Sequence, residues 1–211
     1  MNPFLKALGH TRIYPLTDTR ISGLSHENQV AELSSSGARV IQLREKQLSG
    51  AEFFTEAAAA VRTARKRGVK IIVNDRVDIA LAVSADGVHL GQDDLPPAAA
   101  RKILGSDAII GVSTHSLGQV RLAVTMPVDY VALGPIFPTI TKTSSNIPLG
   151  AVAIREARQL LGDIPLVAIG GISESDSEEL FAAGAAALAV ISDCWTPQSD
   201  AKERRRRLFQ L

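Results

Sequence analysis

Cysteine is nearly absent: Cys194 is the only one among 211 residues. A single thiol excludes an intramolecular disulfide and any metal site built from several cysteines. Charge of one sign is lacking too. Lys plus Arg number 23 against 22 for Asp plus Glu, a net charge of +1. That balance gives nucleic acid or a membrane surface no electrostatic claim to be the main partner. No run of eighteen apolar residues occurs, so no transmembrane span is predicted. The opening MNPFLKALGHTR has no long apolar stretch before Ile13, which argues against a cleaved signal peptide. The expectation is a soluble cytoplasmic protein. The basic run from Lys202 to Arg207 is expected to be a solvated helix end rather than a nucleic-acid arm, because cations suit the last turn of a helix.

What is present is a strict alternation. Eight short apolar, β-branched runs recur: 13–17, 40–43, 70–74, 87–90, 108–112, 129–133, 165–169 and 187–191. Most are apolar on both faces, as expected of parallel strands buried between helices. Between them lie segments of helical period: 25–35, 51–66, 77–83, 97–104, 117–124, 151–161, 174–182 and 200–208. Strand–helix pairs in this order are βαβ units. Eight of them close into a (β/α)8 TIM barrel, at the short end of that fold's range. An open doubly wound sheet is weaker, because no G-x-G-x-x-G follows the first strand. The prediction is one α/β domain over 1–211, with the barrel across about 13–209 and a short extension at 1–12.

In such a barrel the chemistry sits beyond the C-terminal ends of the strands. Polar residues gather there in this sequence and not at the opposite ends. Gln42, Arg44 and Lys46 follow strand two; their shared parity points all three the same way in an extended segment. Turned inward, two cations require an anion; the alternative is a charged strand end paired with Glu45 or Asp18. Asp75 follows strand three and Asp94 strand four. Two neighbouring carboxylates repel unless they share a proton or a cation, and they suit Mg2+ completed by substrate phosphates. The alternative for each is helix N-capping. Gly170-Gly171 after strand seven, with Ser192 after strand eight, takes the usual phosphate position of the fold; a simple tight turn is the alternative. The segment 134–148 holds Thr139, Thr141, Thr143, Ser144, Ser145 and a single cation, Lys142. A long hydroxyl-rich connection at a barrel mouth reads as a lid, or as a surface loop without function.

Three other motifs fail on inspection. Thr141 stands where a P-loop needs glycine before Lys142. The stretch from Gly111 to His115 lacks the final glycine of a nucleophile elbow. His89 and His115 have no H-x-x-x-H spacing, so supporting or core roles are expected for both. Cys194 and Trp195 read as packing residues.

These segments together resemble the thiamine-phosphate synthase (pyrophosphorylase) family over about Ile13 to Ser192. The residues that carry the resemblance are Gln42-Leu-Arg-Glu-Lys46, Asn74-Asp75-Arg76-Val-Asp78, Gly87-Val-His-Leu-Gly-Gln-Asp-Asp94, Gly111-Val-Ser113, Gly134-Pro-Ile-Phe-Pro-Thr-Ile-Thr-Lys142 and Ile169-Gly-Gly-Ile172. The resemblance implies that a hydroxymethylpyrimidine diphosphate and a hydroxyethylthiazole phosphate join to give thiamine phosphate and diphosphate. It implies that Gln42, Arg44, Lys46, Asn74, Ser113 and Lys142 bind the pyrimidine diphosphate, with Arg44, Lys46, Ser113 and Lys142 acting in catalysis. It implies Mg2+ on Asp75 and Asp94, and the thiazole phosphate on Thr139, Thr141, Gly171, Ile191 and Ser192. Partners are then small molecules, with no nucleic acid and no membrane. A thiazole tautomerase of the same barrel family is the alternative; it would not need the diphosphate side.

Overall fold

The computed structural model describes residues 1–139, 147–195 and 201–211. Eight strands, β1 (Ile13–Pro15), β2 (Val40–Leu43), β3 (Lys70–Asn74), β4 (Gly87–Leu90), β5 (Ile109–Thr114), β6 (Tyr130–Leu133), β7 (Leu166–Ile169) and β8 (Ala187–Val190), lie in one sheet. Every ladder is parallel, in the order β1-β8-β7-β6-β5-β4-β3-β2. The two ends meet: Leu16 bridges Gln42 in parallel, and the Thr17 N–H donates to the Gln42 carbonyl at 2.9 Å. The sheet is therefore a closed (β/α)8 barrel.

The helices are α1 (Pro3–Leu8), α2 (Thr19–Ser22), α3 (His26–Ser36), α4 (Gly50–Lys66), α5 (Val77–Ala82), α6 (Pro97–Leu104), α7 (Leu117–Ala123), α8 (Val152–Leu161), α9 (Ser177–Ala182) and α10 (Ala201–Leu208). Their sequences explain their limits. Ser49 and Glu52 form a capping box that starts α4. One face of α4 buries Phe53, Ala57, Ala60, Val61 and Ala64 against the barrel, while Phe54, one position round, faces solvent. Ser25 and Ser116 cap α3 and α7 by accepting from the amide three residues on.

Four expectations need correction. The first strand stops at Pro15 rather than at residue 17, because the Thr17 amide turns to β2 at the closing seam. The fifth runs to Thr114 rather than 112: Ser113 pairs with Ala132 and Thr114 with Leu133, so the polar pair is still on the strand. Residues 174–182 are a 3-10 turn, Glu174–Asp176, followed by α9. The C-terminal basic run is a solvated end only in part: Lys202, Arg206 and Arg207 are exposed, whereas Arg204 and Arg205 are drawn inward. Arg204 pairs with Asp193, Arg205 with Glu32, and Arg207 with Glu174 at 3.7 Å. Arg205 is only 6% exposed and lies over the Trp195 ring.

Residues 3–8, within the expected extension, form a plug. Asn2 caps α1 by accepting from the Phe4 and Leu5 amides, and its own amide nitrogen donates to the Asp129 carbonyl just before β6. Phe4 and Leu8 enter the barrel's inner apolar cluster with Tyr14, Ile72, Tyr130 and Val167. The Phe4 ring stacks on Tyr130 at 4.1 Å and meets Tyr14 edge-on at 5.3 Å. A second, larger apolar layer lies between strands and helices. Phe4→Ala should lower unfolding free energy by about 3–5 kcal/mol, read as a fall in the urea midpoint. An unchanged midpoint would mean that α1 does not plug the barrel.

Candidate active site

A cavity of about 550 Å³ opens at the C-terminal ends of the strands. Gln42, Arg44, Lys46, Asn74, Asp75, Asp94, Ser113, Thr139, Gly171, Ile191 and Ser192 all line it. Thr141 and Lys142, singled out in the sequence, lie outside the described residues, as do Thr143, Ser144 and Ser145.

The cations reach the cavity by two routes. Strand β2 ends at Leu43, so Gln42 points inward from the strand and Arg44 follows it, both nearly buried. Lys46 is not on the strand; its side chain is 44% exposed and arrives through the loop. Each cation is held by an acid. Arg44 is paired with Asp18, whose carboxylate also caps α2 through the Arg20 amide at 3.0 Å. Burial pulls the Arg44 guanidinium below its usual range, and Asp18 opposes that shift. Lys46 is paired with Asp75. Glu45 takes neither cation. It accepts from the amides of Lys46 and Gln47 at 2.7 and 2.6 Å and faces His26 at 3.2 Å. Burial pushes the Glu45 carboxyl up, but the amides of Gln47 and Leu48, with His26, outweigh it and hold it below the ordinary range. The buried His26 ring also meets the Thr17 hydroxyl at 2.7 Å, and that hydroxyl accepts from the Arg44 amide at 3.1 Å.

The acids face one another across the next two strand ends. Asp75 has a left-handed backbone, φ 64°, which costs a non-glycine residue strain and is held by its amide on the His89 carbonyl at 2.8 Å. Asp94 accepts from the Gly91 amide at 2.7 Å, closing a turn. Neither carboxylate caps a helix: the N-cap positions of α5 and α6 are Arg76 and Pro96. Burial first, and the facing Asp75 next, raise the Asp94 carboxyl above its ordinary range.

The opposite wall is backbone. Gly170 and Gly171 both take positive φ, 100° and 67°. A Cβ on Gly171 would fall 2.4 Å from the Pro138 carbonyl oxygen, so only glycine fits there. His115 Nδ1 meets the Gly134 carbonyl at 2.6 Å, tying β5 to the start of the Thr139 connection.

Two acid-held cations, a facing carboxylate pair and a glycine-built wall share one cavity. The thiamine monophosphate synthase family model matches residues 13–194. The chain belongs to that family. It is 44% identical to the thiamine-phosphate synthase of Chloroflexus aurantiacus over 182 residues, covering 86% of this chain and 83% of that protein. It is 42% identical to the enzyme of that name from Azorhizobium caulinodans, covering 93% and 92%. The structure of thiamine phosphate pyrophosphorylase from Pyrococcus furiosus superposes with a TM-score of 0.83, at 32% identity over 94% of each chain.

For this member of the thiamine monophosphate synthase family, sequence reasoning missed several groups that line or support the cavity. In the sequence Asp18 is only an alternative partner that makes Arg44 structural; in the structure it pairs with Arg44, which lines the cavity. Gln92 and Asp93 line the cavity but stand two and one residues from the stronger signal at Asp94, and Gln119 lines it from within α7. No sequence pattern linked Tyr14 and Tyr130 to the site. Among the described residues, no helix is long and apolar enough to cross a membrane. Asp18→Ala leaves the nearly buried Arg44 without its acid and should cost about 3 kcal/mol or more in stability, measured by urea unfolding. A loss below about 0.5 kcal/mol, the size of a surface substitution, would mean that Arg44 does not depend on Asp18.

Proposed function

We propose that this cavity joins 4-amino-2-methyl-5-hydroxymethylpyrimidine diphosphate to 4-methyl-5-hydroxyethylthiazole phosphate. Membership of the family makes the chain a transferase that forms thiamine phosphate; the residues and steps assigned here are our reading. The observation that carries it is the division of one cavity into a cation-rich side at β2 and β3 and a glycine-built side at β7 and β8. Two anionic substrates then meet with their reacting atoms between the two sides.

Arg44, Lys46, Asn74 and Ser113 hold the diphosphate of the pyrimidine, and Lys142 joins them from the sequence assignment. Gln42 is 2% exposed and its Oε1 has no hydrogen-bond partner among the described residues, which supports a ligand donor such as the pyrimidine amino group opposite it. The bond from the methylene carbon to the diphosphate oxygen breaks, and its electron pair leaves with the diphosphate. The thiazole nitrogen supplies the pair that forms the new carbon–nitrogen bond. No general base is required, because that nitrogen carries no proton. Arg44 and Lys46 stabilise the charge that develops on the leaving group. The backbone at Gly171 with Ser192, Ile191, Thr139 and Thr141 holds the thiazole phosphate.

The acid pair fits Mg2+. Asp75 and Asp94 are oxygen donors facing each other, and burial makes a second negative charge beside Asp94 costly. That is the donor set of an ion completed by substrate phosphates. When bound, Mg2+ would neutralise diphosphate oxygens on the same side as Lys46. A tautomerase would need only the thiazole side, and the cation side with its acid pair argues for the synthase.

The direct test is single-turnover formation of thiamine phosphate from both substrates. Lys46→Ala should slow it about a hundred- to thousandfold, as loss of one donor to developing charge does, with little change in thermal stability. A rate within about threefold of the parent would remove Lys46 from the chemistry. The metal has its own test. A carboxyl raised on folding, like that of Asp94, binds its proton more tightly in the native state than unfolded. Metal-free stability should therefore fall as pH rises from the ordinary carboxylate range through the raised Asp94 value. Asp94→Asn should remove that fall, raise the metal-free melting temperature at neutral pH, and abolish the stabilisation by added Mg2+. Equal Mg2+ stabilisation of parent and variant would rule out Asp94 as a ligand.

A further inference from the structure

A line of hydrogen bonds crosses the barrel interior and joins two groups assigned above to the pyrimidine substrate. Gln42 Nε2 donates to the Tyr14 hydroxyl at 3.0 Å. The Tyr14 and Tyr130 hydroxyls are 2.9 Å apart. Tyr130 lies 2.9 Å from His89 Nδ1, and His89 Nε2 lies 2.8 Å from Ser113 Oγ. Tyr14 and Tyr130 lie beneath the cavity at 1% and 0% exposure, and His89, 5% exposed, stands at its lining. Space for the line is built into β5: a Cβ on Gly111 would fall 2.0 Å from the Tyr130 ring. The mechanism above uses the two ends and gives the middle no task.

The direction of the line follows from counting hydrogens. With Nε2 on Tyr14, the Gln42 amide leaves one buried acceptor, Oε1, for a ligand. The reverse amide would leave N–H donors there instead, and orphaned buried donors are the rarer and costlier case. Tyr14 therefore accepts from Gln42 and passes its own hydrogen to Tyr130. Tyr130 in turn donates to His89 Nδ1, which must be a bare lone pair. His89 is then neutral, with its hydrogen on Nε2, and donates to Ser113. A hydrogen on Nδ1, in the other tautomer or the imidazolium, would turn the Tyr130 hydrogen back onto Tyr14. The Tyr14 hydrogen would then be stranded in an apolar core. Burial raises both phenols well above their usual range, so they keep the protons this line needs.

We propose that His89 is a positioning residue, fixed by Tyr14 and Tyr130 as the neutral Nε2–H tautomer. Its donation to Ser113 turns the serine hydroxyl proton toward the bound substrate, while the far end of the line turns the Gln42 carbonyl oxygen toward the same substrate. Ser113 thus presents a donor and Gln42 an acceptor, a fixed pattern read by the ligand half that lies between them. The identity of that half as the pyrimidine diphosphate rests on the proposed function; the tautomer does not.

Two measurements test the proposal, and the first needs neither a variant nor activity. Long-range proton–nitrogen correlation spectra of the full chain labelled at histidine nitrogen should show His89 as the Nε2–H tautomer at neutral pH. An Nδ1–H tautomer or an imidazolium would overturn the direction of the line. The second is Tyr130→Phe, which keeps the stack on Phe4 and removes only the hydroxyl. The KM for pyrimidine diphosphate should rise about tenfold, the worth of one well-placed hydrogen bond, while the KM for thiazole phosphate stays within about twofold. An unchanged pyrimidine KM, or an equal rise for both substrates, would overturn the positioning role. A parent enzyme inactive with these substrates, yet carrying the predicted tautomer, would count against the synthase reading alone.

Discussion

The barrel closes at a short seam between its first two strands, and the cation side of the cavity is seated on that seam. β1 has only three residues, and its pairing with β2 comes down to the Leu16–Gln42 bridge and the Thr17 amide on the Gln42 carbonyl. Thr17 does more than close the ring. Its hydroxyl accepts from the Arg44 amide and meets His26, and His26 meets Glu45, which gathers the amides that turn the chain toward Lys46. The contacts that close the sheet are the contacts that aim Gln42, Arg44 and Lys46. A closed barrel cannot slip register by one residue without breaking every ladder, so the inward direction of these side chains is set by the whole sheet.

Electrostatics then explains why the cavity is stable before any anion enters. Two cations at the mouth of an apolar barrel are costly alone. Asp18 meets the first and Asp75 the second, so the charges are neutralised in place and their geometry is fixed in advance. The cost moves to the acid side, where Asp94 sits half-buried opposite Asp75 with its carboxyl raised. Below the mouth the interior stays polar along a single line, with its apolar remainder sealed from the other end by Phe4 and Leu8. Cations above, a one-directional hydrogen-bond line below and a plug beneath form one continuous support.

Much of this was legible in the sequence because the fold makes site residues follow strands. Gln42, Asn74, Asp75, Asp94, Ser113, Gly171 and Ser192 could be listed in order once eight strand–helix pairs were counted, and the structure brings them to one cavity. Parity along a strand described Gln42 but not Lys46, because the strand ends between them and a loop obeys no alternation. α1 escaped because six residues show too little period, although Asn2 before Pro3 is a legible helix start. The line from Gln42 to Ser113 could not be read at all. Its central bond joins residues 116 positions apart, and each tyrosine looks in sequence like any apolar strand residue. A resemblance to a family names residues that follow strands, and these the cavity gathers; it is silent about the buried side chains between them.

The central claim is that one cavity holds two anions on opposite sides at once, one on cations and acids, the other on a glycine backbone. Calorimetric titration of thiazole phosphate into protein saturated with Mg2+ and inorganic diphosphate measures this directly. The account predicts one thiazole phosphate bound per chain, with an affinity no weaker than in the absence of diphosphate. Competition, in which saturating diphosphate abolishes thiazole phosphate binding, would mean a single anion site and would contradict the account.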